Sequence, residues 1–145
     1  MFYNISMFHS RSARKRYNRQ NQLSSECDFC APQERVARIV EENEFALVIE
    51  NRTHYTYWER RRVQSHLLVI PKQHVMRLQE LDAAARLAVM DLIAKYEDAD
   101  YDVYLRSPKS PTRSVGHHHT HLIKSDKKLH NFVFFLGRPY LLIHR

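Results

Sequence analysis

Ser114-Val115-Gly116-His117-His118-His119-Thr120-His121-Leu122-Ile123 is the stretch on which the reading of this chain turns. A β-strand alternates its side chains between two faces. A strand from His117 to Ile123 therefore sends His117, His119 and His121 to one side, and His118 and Thr120 to the other. Three imidazoles converge on one surface. At this histidine content a chance His-x-His-x-His is expected only about 0.05 times in the whole chain. The run is internal and flanked by strand-like sequence, unlike a purification tag.

Working outward, His66-Leu67-Leu68-Val69-Ile70-Pro71 is a short apolar run stopped by proline, the pattern of a central strand buried on both faces. Asp82 is a candidate N-cap for a helix from Ala83 to Tyr96, in which Ala83, Leu87, Met90 and Ala94 share one face. Tyr101 to Leu105 reads as a strand. The prolines and serines between Arg106 and Ser114 mark a loop. Nearer the N-terminus, Val36 to Glu41 and Phe45 to Glu50 form a hairpin around Glu42-Asn43-Glu44. Asn51 to Ser65 is polar, aromatic and basic without a period, and reads as a long connection. At the other end, Asn131 to Leu136 and Tyr140 to His144 flank Gly137-Arg138-Pro139 as a further strand pair. The sum is an α+β fold, a mostly antiparallel sheet with one main helix packed on it.

Composition removes several function classes. The chain has 2 glycines in 145 residues, where average usage predicts about ten. Neither a GxGxxG fingerprint nor a glycine-rich P-loop can be assembled, so any phosphate must be held by side chains. A content of 43% hydrophobic and 27% charged residues is that of a globule, not a disordered chain. No apolar run approaches the roughly 20 residues of a membrane span.

The net charge of +7 is unevenly placed: no acidic residue precedes Glu26, while Arg11, Arg14, Lys15, Arg16 and Arg19 crowd one stretch. Residues 1–25 thus read as a basic, flexible extension and 26–145 as the folded domain. The extension lacks the apolar core of a secretory signal. An Arg-rich transit peptide and an arm that touches nucleic acid stay open beside the plainer reading of a solvated tail. The chain is expected to be cytoplasmic.

Cys27-Asp28-Phe29-Cys30 supplies two thiols, too few for an all-cysteine zinc site. Zinc would need two further ligands, and His74 and His117 are the available imidazoles. A redox CxxC usually opens a helix after a strand, and nothing upstream of Cys27 has that form. Two buried cysteines acting as small hydrophobes are the bland alternative.

The order of His66-Leu67-Leu68-Val69-Ile70-Pro71-Lys72-Gln73-His74, a helix, and then the triad stretch resembles the histidine triad (HIT) nucleotide-binding proteins, from Cys27 to about Ile123. The resemblance implies a HIT-like fold and an enzyme that attacks a nucleotide α-phosphate through a covalent nucleotidyl-histidine intermediate, as a hydrolase or nucleotidyl transferase. A phosphorylase is a near neighbour that the sequence does not separate. By this resemblance His119 is the nucleophile, His121 and His66 orient the phosphate, and Ser114 bonds phosphate or leaving-group oxygens. In the zinc-containing branch the ligands match Cys27, Cys30, His74 and His117, a closed structural site. The family also commonly forms homodimers through the helix and an adjoining strand. The chemistry is coherent, because a neutral imidazole is a competent nucleophile and a two-step displacement splits one hard step into two easier ones.

Some positions depart from the family pattern. Glu50, followed by Asn51, stands where the family has an aspartate for the ribose hydroxyls. Ser65 replaces a glycine, and the connection before it is longer. Arg106, Lys109 and Arg113 replace amides and glycines of the phosphate loop, which suits a more highly charged leaving group such as that of a dinucleoside polyphosphate. His118 occupies a position that is usually apolar and reads as a packing residue. Tyr55, Tyr57 and Trp58 read either as stacking partners for a base or as cover for the core. Two other functions compete: a zinc-stabilised nucleic-acid-binding module, and a nucleotide-binding protein whose catalysis has decayed.

Overall fold

The computed structural model describes residues 7–8, 27–30, 39–130, 133–137 and 140–144. Its strands are β1 (Met7–Phe8), β2 (Ile39–Glu42), β3 (Ala46–Glu50), β4 (Tyr57–Trp58), β5 (Arg61–Pro71), β6 (Asp102–Leu105), β7 (Thr120–Ser125), β8 (Val133–Gly137) and β9 (Tyr140–His144). A single α-helix among the described residues, α1 (Ala83–Glu97), lies between β5 and β6. The fold is α+β, an antiparallel sheet carrying one main helix.

The apolar run after His66 sits at the centre of the sheet, as a strand buried on both faces must. It is the second half of β5, flanked by β3 on one side and β7 on the other, both antiparallel. β2 continues the sheet beyond β3, and β6 beyond β7. Alternation along β5 sorts its side chains into two layers. Leu67 and Val69 join Ala46, Val48, Leu122 and the helix residues Ala85, Val89, Leu92 and Ile93. Leu68 and Ile70 face the other way with Leu47 and Ile49, where Phe29 and Ile39 cover them. His66 follows the parity of Leu68, so its imidazole belongs to the face away from the helix.

Asp82 caps α1 as its sequence position requires, its carboxylate accepting the Ala85 N–H at 2.8 Å. The buried face differs from the expected one. Ala83, Leu87, Met90 and Ala94 are all exposed, Leu87 by 63% and Met90 by 49%. Both sides of α1 carry an apolar row at helical spacing, and the sheet takes the row with the branched Val89 and Ile93.

The connection from Asn51 to Ser65 is more ordered than its composition suggests. It contains β4 and the first half of β5, joined by a two-residue turn with Trp58 opposite Arg61. The turn residues Glu59 and Arg60 have φ of 47° and 63°. Such a hairpin turn needs left-handed backbone at both positions and is normally signalled by Asn-Gly. Met7–Phe8 pair with Trp58 and Tyr57; the rest of the basic extension lies outside the described residues. So do residues 36–38 and 131–132 of the expected terminal strands. β8 and β9 form the expected hairpin as a separate two-stranded sheet.

The triad strand begins later than expected, at Thr120 and not at His117. Only from Thr120, opposite Val69 on β5 and Leu105 on β6, does the chain enter a ladder.

Candidate active site

β5 and β7 are in antiparallel register with Leu68 opposite His121 and His66 opposite Ile123. His66 and His121 are therefore diagonal neighbours on one face, within reach of each other. Their ring nitrogens meet at 2.9 Å, from His66 Nε2 to His121 Nδ1. The backbone N–H of Tyr55 donates to His66 Nδ1 at 3.1 Å. A backbone amide is always a donor, so His66 Nδ1 carries a lone pair and His66 Nε2 the proton. His66 thus donates to His121 Nδ1, and neutral His121 keeps its own proton on Nε2. Asn51 places its side-chain amide 3.2 Å from His66 Nε2. Its Oδ1 accepts the N–H of Thr53 at 3.0 Å.

His119 is fixed by the same logic. Its Nδ1 lies 2.8 Å from the carbonyl oxygen of His117, which can only accept. The proton sits on Nδ1, and Nε2 holds the lone pair. The His119 and His121 ring centroids are 5.1 Å apart, edge to face. Phe29 presents its ring to His119 at 5.2 Å. Burial lowers the pKa of His119, and the charges of Arg113 and Arg106 act in the same direction against the opposing bond to His117. The neutral imidazole is thereby favoured.

His117, 0% exposed, turns to the other cluster. Its Nε2 donates to the Pro71 carbonyl at 2.9 Å, leaving the Nδ1 lone pair facing Cys27 Sγ at 3.5 Å and Cys30 Sγ at 3.7 Å. His74 Nδ1 is 3.1 Å from Cys30 Sγ. The four ligand atoms lie within 4.8 Å of one another and could hold a metal ion. A tetrahedral zinc with these ligands has S···N edges of about 3.5 Å. An imidazole whose second nitrogen donates to a carbonyl is the usual arrangement of a metal-bound histidine.

The loop cations are used unequally. Arg106 donates from Nη2 to the Tyr55 hydroxyl at 2.9 Å and from Nη1 to Thr112. Its guanidinium sits 5.3 Å over the Tyr104 ring. Tyr55 in turn stacks at 5.9 Å from His121 and lies 4.7 Å from His66, so Arg106 borders the histidines. Arg113 instead spends its donors on the carbonyls of Val115, Gly116 and Met76. Lys109 and Ser114 are exposed, and so is Glu50 at the end of β3. His118 is buried behind the triad, as a packing residue would be.

Tyr55, read from the sequence as a stacking partner or as core cover, covers His66 and His121. Sequence reasoning missed one residue of the site. Phe29 was legible in principle, as the large apolar residue between the two cysteines.

Among the described residues no helix is long and apolar enough to cross a membrane. Comparison with curated proteins gives no match. Solved structures do match. A HIT family hydrolase from Clostridium thermocellum aligns with TM-score 0.54 and 21% identity over 72% of this chain and 94% of its own. A hypothetical protein from Leishmania major aligns with TM-score 0.56 and 26% identity over 73% of this chain and 78% of its own. A histidine triad nucleotide-binding protein from Candida albicans aligns with TM-score 0.54 and 18% identity over 70% and 77% of the two chains. These likenesses concern the fold. The family model of the HIT domain matches residues 40–128, more than half of the chain and the span that holds His66, His74 and the whole histidine run, and so this chain belongs to the HIT family.

Proposed function

We propose that the protein is a nucleotide-binding hydrolase or nucleotidyl transferase in which His119 Nε2 attacks a nucleotide α-phosphorus. The observation that carries this reading is the 2.8 Å contact of His119 Nδ1 with the His117 carbonyl, which leaves the lone pair on Nε2. Attack forms the N–P bond and breaks the P–O or P–N bond to the leaving group. Water, or another acceptor in a transferase or phosphorylase, then breaks the N–P bond and frees His119. His121 supplies an Nε2–H donor for a phosphoryl oxygen, with its tautomer set by His66. Charge developing on the phosphoryl oxygens is what such a reaction most needs to have stabilised. Ser114 is assigned to leaving-group oxygens, and Glu50 with the adjacent Asn51 to the ribose hydroxyls. Arg106 and Lys109 favour a charged leaving group, as in a dinucleoside polyphosphate. The likeness to a histidine triad nucleotide-binding protein of Candida albicans and a HIT family hydrolase of Clostridium thermocellum supports nucleotide binding and hydrolysis.

The same proposal includes a zinc ion on Cys27, Cys30, His74 and His117, which would tie the CxxC segment to β5 and the triad segment and leave no open coordination position. It also includes a homodimer through the exposed row of Ala83, Leu87, Met90 and Ala94 and the adjoining β6, whose Val103 and Leu105 are exposed. A cytoplasmic protein divided into a basic segment, 1–25, and a HIT-like domain, 26–145, completes it. The direct test is turnover of diadenosine polyphosphates and of adenosine 5′-phosphoramidates by the wild type and by His119→Ala. Loss of at least about 10³-fold in the variant, with melting and metal content retained, is expected for a nucleophile. Turnover retained at the wild-type rate would remove the assignment. A wild-type protein that binds nucleotide without turnover would point to decayed catalysis.

A further inference from the structure

The nucleophile assigned above does not sit on a paired strand. β7 begins at Thr120, so among the described residues no strand pairs with the backbone from Gly116 to His119. Something else must hold it, because a shift of about 1 Å in a reacting atom can slow catalysis by about 10²-fold. One hold is the His118 N–H, which donates to the Val75 carbonyl at 2.6 Å. The other is a side chain. Arg113 donates from Nε to the Val115 carbonyl at 3.0 Å, and from Nη2 to the Gly116 carbonyl at 2.8 Å and the Met76 carbonyl at 3.1 Å. One planar guanidinium thus bridges the segment entering the triad and the segment leaving His74. Its third nitrogen, Nη1, is buried with no hydrogen-bond partner among the described residues. All three N–H bonds of Nε and Nη2 are thus spent on backbone carbonyls, and the remaining nitrogen is buried from solvent.

We propose that Arg113 is a positioning residue for His119 and not a substrate contact. Fixing the Val115 and Gly116 carbonyls sets the peptide planes that lead into His117. The His117 carbonyl then points at His119 Nδ1, accepts a hydrogen bond from its N–H, and so leaves the lone pair on Nε2 to react. This rests on the reading of His119 as nucleophile. A lysine cannot substitute, since an ammonium lacks the planar fork that reaches three carbonyls at fixed angles.

The test uses the full chain with Arg113→Lys and Arg113→Ala, beside wild type. Three measurements are made on each: kcat and KM for diadenosine triphosphate, thermal melting, and the His119 tautomer from imidazole nitrogen shifts in NMR at pH 8. In Arg113→Lys, kcat should fall about 10-fold or more while KM stays within about twofold. The His119 tautomer should change from one form to a mixture. Added guanidinium ion should restore part of the kcat of Arg113→Ala. A raised KM with kcat retained would make Arg113 a substrate contact. A lowered melting temperature with unchanged kcat and tautomer would make it a structural residue only. Either result overturns the proposal. The tautomer needs no substrate, so it still decides the role of Arg113 if the wild type proves inactive and the reading of His119 fails.

Discussion

His66 Nε2 lies 2.9 Å from His121 Nδ1, and the Tyr55 N–H occupies the other nitrogen of His66 at 3.1 Å. This pairing makes the tautomer of His121 a consequence of the backbone amide of Tyr55, relayed through His66. Replacing His66 by phenylalanine removes the donor to His121 and strands a buried N–H on Tyr55. The expected result is a fall in kcat of about 10²-fold and a stability loss of about 1–3 kcal/mol. Steady-state kinetics and chemical denaturation measure the two. An unchanged kcat in His66→Phe would show that the pair does not prepare His121.

His118 is 3% exposed, and its Nε2 has no hydrogen-bond partner among the described residues. Its pKa is pushed down to about 4, first by burial and then by the charge of Arg113. Between pH 6.5 and about 4 the unfolded chain takes up a proton that the folded chain refuses, so acid favours unfolding across that window. The contribution reaches about 2 kcal/mol at pH 5. His118→Leu should therefore melt with a shallower dependence on pH between 7 and 5 than the wild type. Equal slopes for the two proteins would count against it.

Four donors at zinc-like spacing predict one tightly bound metal per chain and a fold that depends on it. Exhaustive chelation, or Cys30→Ser, should remove the ion and lower stability by at least about 2 kcal/mol, a fall in Tm of about 6 °C or more. Elemental analysis with calorimetry follows both quantities. A protein isolated without metal, and melting alike with and without chelator, would contradict the closed site.

The exposed apolar row on α1 has a different consequence. Leu87 and Met90 are exposed among the described residues and resemble the centre of an interface. Sedimentation should find a dimer for the wild type at micromolar concentration, and a monomer for Leu87→Lys with Met90→Lys, since two buried like charges per copy oppose association. A monomeric wild type, or a double variant that still dimerises, would exclude this surface.

The sequence and the structure part company where long-range partners decide. His66, His74, the CxxC pair and the histidine run were legible because their chemistry fixes both residue type and spacing. The inward face of α1 was not, since Ala85-Val89-Leu92 and Ala83-Leu87-Met90 both satisfy a helical period and only the sheet chooses between them. The hairpin through Glu59 and Arg60 was hidden by its turn, which adopts left-handed backbone without glycine or asparagine. The late start of β7 and the use of Arg113 on carbonyls were also hidden, because a charged loop residue looks the same in sequence whether it meets a ligand or a backbone.

The most direct measurement of the central claim is mass spectrometry of the protein quenched during turnover of diadenosine triphosphate. Peptide mapping should find one adenylyl group on the peptide that spans the triad, localised to His119 and absent from His119→Ala. Turnover without an adduct there, or an adduct on another residue that persists in His119→Ala, would contradict it.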